Sequence, residues 1–164
     1  MEISQSLDYD VVNIVSLWDI GKLTVIIDNT RRKKRYNAQV IRKGGGVFLV
    51  FASGKVVATG FKSVALPGSL LQEIYPEKDV IFKRVINITA HSFLPYGFNT
   101  TALIERYQDT TYKPEIYPAV YIRLHDVTLI YYTTGSIIVT GAKEKHHIDL
   151  ALSEFCSRTA SIKV

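Results

Sequence analysis

The sequence predicts an α+β fold, an antiparallel sheet backed by helices, and three observations carry that prediction. The chain repeats itself: residues 36–63 (YNAQVIRKGGGVFLVFASGKVVATGFKS) align with residues 117–144 (YPAVYIRLHDVTLIYYTTGSIIVTGAKE) at a constant offset of 81, with identity at eight of 28 ungapped positions. Self-similarity at a fixed offset marks a duplicated structural unit. Each copy then carries strand-like runs joined through Gly54 or Gly135, in SG and TG turns that signal hairpins. Behind each hairpin follows a segment with apolar residues at helical spacing, clearest at Ile148, Leu152 and Phe155.

The elements follow in the same order in both halves. Strand-like stretches at 11–18 and 80–90 contain VVNIVS and VINITA, which pair Asn13 with Asn87 at an offset of 74. Short polar–apolar segments at 21–29 and 99–107 read as helices. Three strands come next, over 36–43, 46–52 and 55–59 in the first half and over 117–124, 127–133 and 136–140 in the second. A closing helix is predicted over 142–157, and a weaker one over 63–75, where Pro67-Gly68 interrupts the pattern. Strand, helix, three strands, helix, twice over, is most economically buried as an antiparallel sheet with helices behind it.

The halves also share charge. Residues 1–80 carry +3 and residues 81–164 carry +2 of the net +5, which arises from 20 Lys+Arg against 15 Asp+Glu in 164 residues. Halves of this size are each small for an independent core, so the expected organisation is one continuous domain of two repeats, 1–80 and 81–164. A single cysteine, Cys156, permits no internal disulfide. With no signal-peptide pattern and no long uncharged apolar run, the expectation is a chain that is neither secreted nor membrane-spanning. The basic balance favours acidic partners, nucleic acid first among them.

Successive strand side chains point to opposite faces. Over 47–59 one face carries Phe48, Val50, Val56 and Ala58, and the other carries Val47, Leu49, Phe51, Lys55, Val57 and Thr59. The second half repeats the latter face with Thr128, Ile130, Tyr132, Ser136, Ile138 and Thr140. Both faces are therefore largely apolar, and short helices on one side leave the other for a partner. Arg42, Arg123, Lys55, Lys62, Lys83 and Lys143 flank that apolar centre. Cations beside aliphatic and aromatic groups suit a DNA minor groove, where they meet phosphates, sugars and base steps in turn. A homodimer interface, or a further helix of the chain, would use the same face.

The repeated T-G-x-K after a Gly-turned hairpin, the paired N-I-[VT] strands and the run YKPEIYPAVYIRL at 112–124 together resemble the TATA-binding protein family, from about Val11 to Phe155. The resemblance implies a pseudo-twofold saddle: a ten-stranded antiparallel sheet that sits on a bent minor groove, with four helices on the convex face. It implies intercalating aromatics at Tyr36, Phe51, Tyr117 and Tyr132, three of them Tyr where the family usually has Phe. A Tyr hydroxyl in that setting must find a partner or be desolvated, at about 1–3 kcal/mol. Asn13, Asn87, Thr59 and Thr140 match the family's central groove donors, which suit the acceptor-only A·T edges. Val15, Val57, Thr89 and Ile138 match its groove-contacting valines, with Thr89 departing, and Leu49 and Ile130 lie beside them on the same face. Arg42, Lys55, Lys62, Arg123 and Lys143 match phosphate contacts, while Ser136 stands where a second hairpin lysine is expected.

Further departures concern partners. The interval from Thr59 to Asn87 is shorter than the family norm, and Lys113 replaces an acid that contacts transcription factor IIB, with Glu115 retained. The implied function is a nonenzymatic general transcription initiation factor that binds and bends A·T-rich double-stranded promoter DNA and nucleates the preinitiation complex. Partners similar to transcription factors IIA and IIB, no membrane, no cofactor and self-association of the free chain are also expected. The setting would be nuclear, or cytoplasmic for a viral protein. The alternative is a TATA-binding-protein-like factor with weak DNA binding that acts as a protein platform.

Other signals carry less. His146-His147 lack zinc-protease spacing and a third ligand, so a solvated helix face is the expectation and no metal site is assigned. The GGG at 44–46 has no Lys-Ser/Thr after it and reads as a hairpin turn. RRKKR at 31–35 fits either nuclear import or a loop near the DNA backbone.

Overall fold

The computed structural model describes residues 7–23 and 38–164. In chain order the elements are β1 (Tyr9–Asp19), β2 (Ala38–Lys43), β3 (Gly46–Phe51), β4 (Lys55–Phe61), α1 (Ala65–Ile74) and β5 (Ile81–Phe93). There follow α2 (Thr100–Arg106), β6 (Thr110–Tyr112), β7 (Ala119–Leu124), β8 (Val127–Tyr132), β9 (Ser136–Ala142) and α3 (Lys145–Ala160). The described residues thus form nine strands and three helices, against the ten and four implied by the resemblance. At the repeat offset of 81 the counterpart of β6 falls on residues 29–31, and the helix expected over 21–29 runs past residue 23; both places lie outside the described residues, as do RRKKR and Tyr36.

The chain divides into two compact units, residues 13–86 and residues 1–12 with 87–164. In the first unit the strand order is β2-β3-β4-β1, and in the second β5-β9-β8-β7-β6, paired antiparallel throughout each. A register shift interrupts β1 between Ile14 and Ser16 and recurs in β5 between Ile88 and Ala90, so the duplication extends to the bulges.

Strand period and helix period meet in the cores. In the first unit Phe48, Val50, Val56, Ala58 and Phe61 pack with Trp18, Ile20 and Leu71. Pro67 and Gly68 do not interrupt α1, contrary to the sequence expectation. Pro67 lies in the first turn, where its lost N–H has no partner to lose, and a Cβ on Gly68 would stand 2.7 Å from the Trp18 ring. In the second unit Leu129, Ile137 and Val139 are buried with Ile148, Leu152 and Phe155 of α3 and Leu103 of α2. Tyr131 closes that core against Phe98 and Phe155, with ring centroids 4.9 and 5.7 Å away. Arg158 anchors α3 through a bidentate pair with Asp109 (2.8 and 3.1 Å), which holds the Asp109 carboxyl below its ordinary range.

The β2–β3 turn is Gly44-Gly45 (φ +64° and +86°), and its counterpart 81 positions on is His125-Asp126 (φ +46° and +65°). Both are two-residue turns with left-handed central residues, which glycine adopts without strain and His and Asp only at a cost. The His125 Nε2 lies 2.8 Å from the Glu154 carboxylate on α3, a contact that holds the less permissive turn in place.

Candidate nucleic-acid interface

Because the helices take one face of each strand set, the alternate side chains form the other. In the first unit a cross-strand row runs Leu17, Val57, Leu49, Val40, each paired with the next. The second-unit row at the same repeat positions runs His91, Ile138, Ile130, Tyr121. Leu49, Val57, Ile130 and Ile138 are only half-buried, and Val40 remains 54% exposed.

Beside each row lies a clamp built from one strand asparagine and one T-G dipeptide. The Gly60 N–H donates to Asn13 Oδ1 at 2.7 Å, and Asn13 Nδ2 donates to Thr59 Oγ1 at 3.3 Å. In the second unit the Gly141 N–H donates to Asn87 Oδ1 at 2.7 Å, and Asn87 Nδ2 donates to Thr140 Oγ1 at 3.4 Å. Gly60 and Gly141 have φ of +86° and +91°, a conformation that aims the N–H at the asparagine and that an L side chain rarely adopts. The backbone N–H can only meet the amide oxygen, so each asparagine is fixed with its NH₂ as the available end. In the first clamp one amide proton and the Thr59 hydroxyl then remain to donate outward, whereas in the second the Asn87 amide reaches both Thr140 and Thr89 and one hydroxyl proton remains.

The second clamp has a second hydroxyl. Thr89 Oγ1 lies 3.2 Å from Thr140 Oγ1 and 3.5 Å from Asn87 Nδ2, where Val15 stands in the first unit, half-buried like Thr89. Aromatic groups mark the strand ends. Phe51 is half-buried opposite Ala38, and Tyr132 stands opposite Ala119. Tyr132 shares a 3.0 Å hydroxyl–hydroxyl bond with Tyr117, and that bond, with a smaller contribution from burial, raises the Tyr132 pKa above the ordinary phenol value. The Tyr117 and Tyr132 hydroxyls, which the sequence left in need of a partner, are therefore bonded to each other. Tyr121 joins them, its ring centroid 6.1 Å from that of Tyr117.

The expected phosphate contacts are exposed or half-buried and differ in what holds them. Arg42, Lys62 and Lys143 are exposed. Arg123 donates to Thr128 Oγ1 at 3.0 Å. Lys55 is paired at 2.9 Å with Asp19, whose carboxyl that bond and the Gly21 N–H hold below its ordinary range. Lys113 and Glu115 lie exposed on a turn after β6, closed by the Lys113 carbonyl accepting from the N–H groups of Ile116 (3.0 Å) and Tyr117 (2.9 Å).

Several face residues were not singled out from the sequence. Leu17 and His91 follow two positions after Val15 and Thr89, so strand period alone puts them on the same face. Val40 and Tyr121 pair directly with the recognised Leu49 and Ile130. Gly60 and Gly141 were visible as a repeated T-G, but their role needs the asparagine partner 47 and 54 positions away.

A family model described as "Transcription factor TFIID (or TATA-binding protein, TBP)" matches residues 83–160. The TATA-box-binding protein-like 1 of Entamoeba histolytica is 37% identical over 164 residues, covering 88% of this chain and 76% of that protein. The TATA-box-binding protein of Methanobrevibacter smithii is 29% identical over 178 residues, covering 95% and 97%. Among solved structures, Methanococcus jannaschii TBP matches with a TM-score of 0.79 at 25% identity, over 94% of this chain and 99% of that one. The class defined by these likenesses and by the duplicated strand unit is a transcription factor of two pseudo-repeats. The chain belongs to the TATA-binding protein family.

Proposed function

We propose that this chain is a nonenzymatic general transcription initiation factor that binds A·T-rich double-stranded promoter DNA in the minor groove, bends it and nucleates a preinitiation complex. The observation that carries the reading is the duplicated clamp: two Asn–Gly–Thr sets with amide and hydroxyl groups, each beside a half-buried aliphatic pair, Val57–Leu49 or Ile138–Ile130. In the minor groove A·T pairs offer acceptors only, so such donors find partners there, while the aliphatic row lies against sugars and base edges.

In this reading Tyr36, Phe51, Tyr117 and Tyr132 wedge between base steps. Asn13, Asn87, Thr59 and Thr140 donate to the groove floor, and Val15, Leu49, Val57, Thr89, Ile130 and Ile138 contact it. Arg42, Lys55, Lys62, Arg123 and Lys143 meet phosphates. Lys113 and Glu115 face a partner similar to transcription factor IIB, with IIA-like proteins binding elsewhere. The two repeats act as one continuous domain, in the nucleus or, for a viral protein, in the cytoplasm, and the free chain covers its apolar face by self-association.

One titration tests this. At fixed salt, the wild-type chain binds a fluorescent TATA duplex well below micromolar, and Phe51→Ala/Tyr132→Ala weakens it severalfold or more. Binding no tighter than about 10⁻⁶ M and indifferent to the substitutions is the non-specific electrostatic limit and contradicts the proposal. That result would favour a protein platform with weak DNA binding, a reading supported by the engagement of Lys55 with Asp19 and of the Tyr117 and Tyr132 hydroxyls with each other.

A further inference from the structure

The two faces carry the same clamp but differ in hydrogen-bonding capacity around it. Val15, Leu17 and Val40 of the first unit correspond by the repeat to Thr89, His91 and Tyr121 of the second. In the cross-strand rows this places aliphatic groups at every position of Leu17–Val57–Leu49–Val40, and an imidazole and a phenol at the two ends of His91–Ile138–Ile130–Tyr121. His91 is exposed and Tyr121 is 38% exposed, and among the described residues neither side chain makes a hydrogen bond. Thr89 adds a second hydroxyl to the second clamp, 3.2 Å from Thr140.

In the minor groove the feature that separates G·C from A·T is the guanine N2 amino group, a donor. Against the first row that amino group would lose water and meet only methyl groups. Against the second it would meet hydroxyls and an imidazole, groups able to accept. We propose that the two halves of the chain differ in base tolerance, the first restricted to A·T pairs and the second accommodating G·C, with Thr89, His91 and Tyr121 as the specificity-determining residues. The inference rests on the minor-groove reading above and adds to it which base pairs each half admits.

The consequence is a G·C penalty confined to one part of the site. An unpaired amino group against the aliphatic row corresponds to about 10–100-fold in affinity. The test walks single A·T→G·C replacements along an A·T duplex and measures binding of the full chain at fixed salt. A parallel series uses inosine·cytosine, which lacks the N2 amino group. The expected result is a loss of about 10–100-fold at replacements on one side of the site and of no more than about threefold on the other, with inosine relieving the loss. Thr89→Val/His91→Leu/Tyr121→Val should extend the G·C penalty to the tolerant side. Val15→Thr/Leu17→His should relieve it on the strict side, a gain that a misfolded variant could not produce. Equal penalties on both sides, penalties that inosine leaves in place, or a profile unmoved by both variants overturn the inference while leaving minor-groove binding standing. Absence of tight binding to any duplex overturns both.

Discussion

In the first unit, Asn13 is clamped by Gly60 beside Val15 and an all-aliphatic row; in the second, Asn87 is clamped by Gly141 at the same 2.7 Å beside Thr89 and a row ending in His91 and Tyr121. Outside the clamps the two sets diverge further. The Asp19–Lys55 ion pair of one unit is replaced by Phe93 opposite Ser136 in the other. What is kept across the duplication is what backbone geometry demands: an asparagine, a positive-φ glycine, a hydroxyl and a bulge. Side chains on the open face that the backbone geometry does not require have diverged between the units. The comparison therefore separates residues that build the face from residues that tune it.

The largest effect on that comparison should come from the clamp glycines. A Cβ at Gly60 would stand 3.1 Å from Gly46 Cα, whereas at Gly141 the nearest heavy atom is 3.8 Å away. Both positions carry the left-handed penalty, but only the first adds a backbone clash. Gly60→Ala is expected to destabilise by about 2–3 kcal/mol and Gly141→Ala by about 1–2 kcal/mol, measured by urea unfolding. Equal losses would mean that the close approach of the Gly60 strand to β3 has no energetic weight.

A smaller difference concerns salt. Removing a phosphate contact lowers the slope of log affinity against log salt by about 0.9 per contact. Arg42→Ala should approach that value. Lys55→Ala should fall short of it, because the Lys55 ammonium already has the Asp19 carboxylate at 2.9 Å. A Lys55→Ala effect as large as that of Arg42→Ala would show that DNA displaces Asp19 completely.

Much of this was legible in the sequence. The repeat at an offset of 81 located both hairpins, and strand period set Phe48, Val50, Val56 and Ala58 together on one face, which is the face the structure buries. The three-residue strand β6 was missed, since Thr110–Tyr112 is too short to show alternation. Helix α1 was underrated because Pro67-Gly68 has the composition of a turn, although proline costs nothing in a first turn and Gly68 is where Trp18 packs. The clamps were half-read: Asn13 and Asn87 were singled out, but their bonds to Gly60 and Gly141 span 47 and 54 positions and depend on a glycine φ that no local pattern reveals. His91 and Tyr121 escaped notice because their partners in the first unit, Leu17 and Val40, are ordinary strand residues.

The most direct measurement compares wild type with Asn13→Ala, Asn87→Ala and the double variant on one A·T duplex, across a salt series and alongside unfolding midpoints. The account predicts a loss of about tenfold for each single variant and about 100-fold for the double, with the salt slope unchanged, because donors to base edges are removed and phosphate contacts are not. A folded double variant that binds within about threefold of wild type would contradict the claim that the paired clamps read the groove.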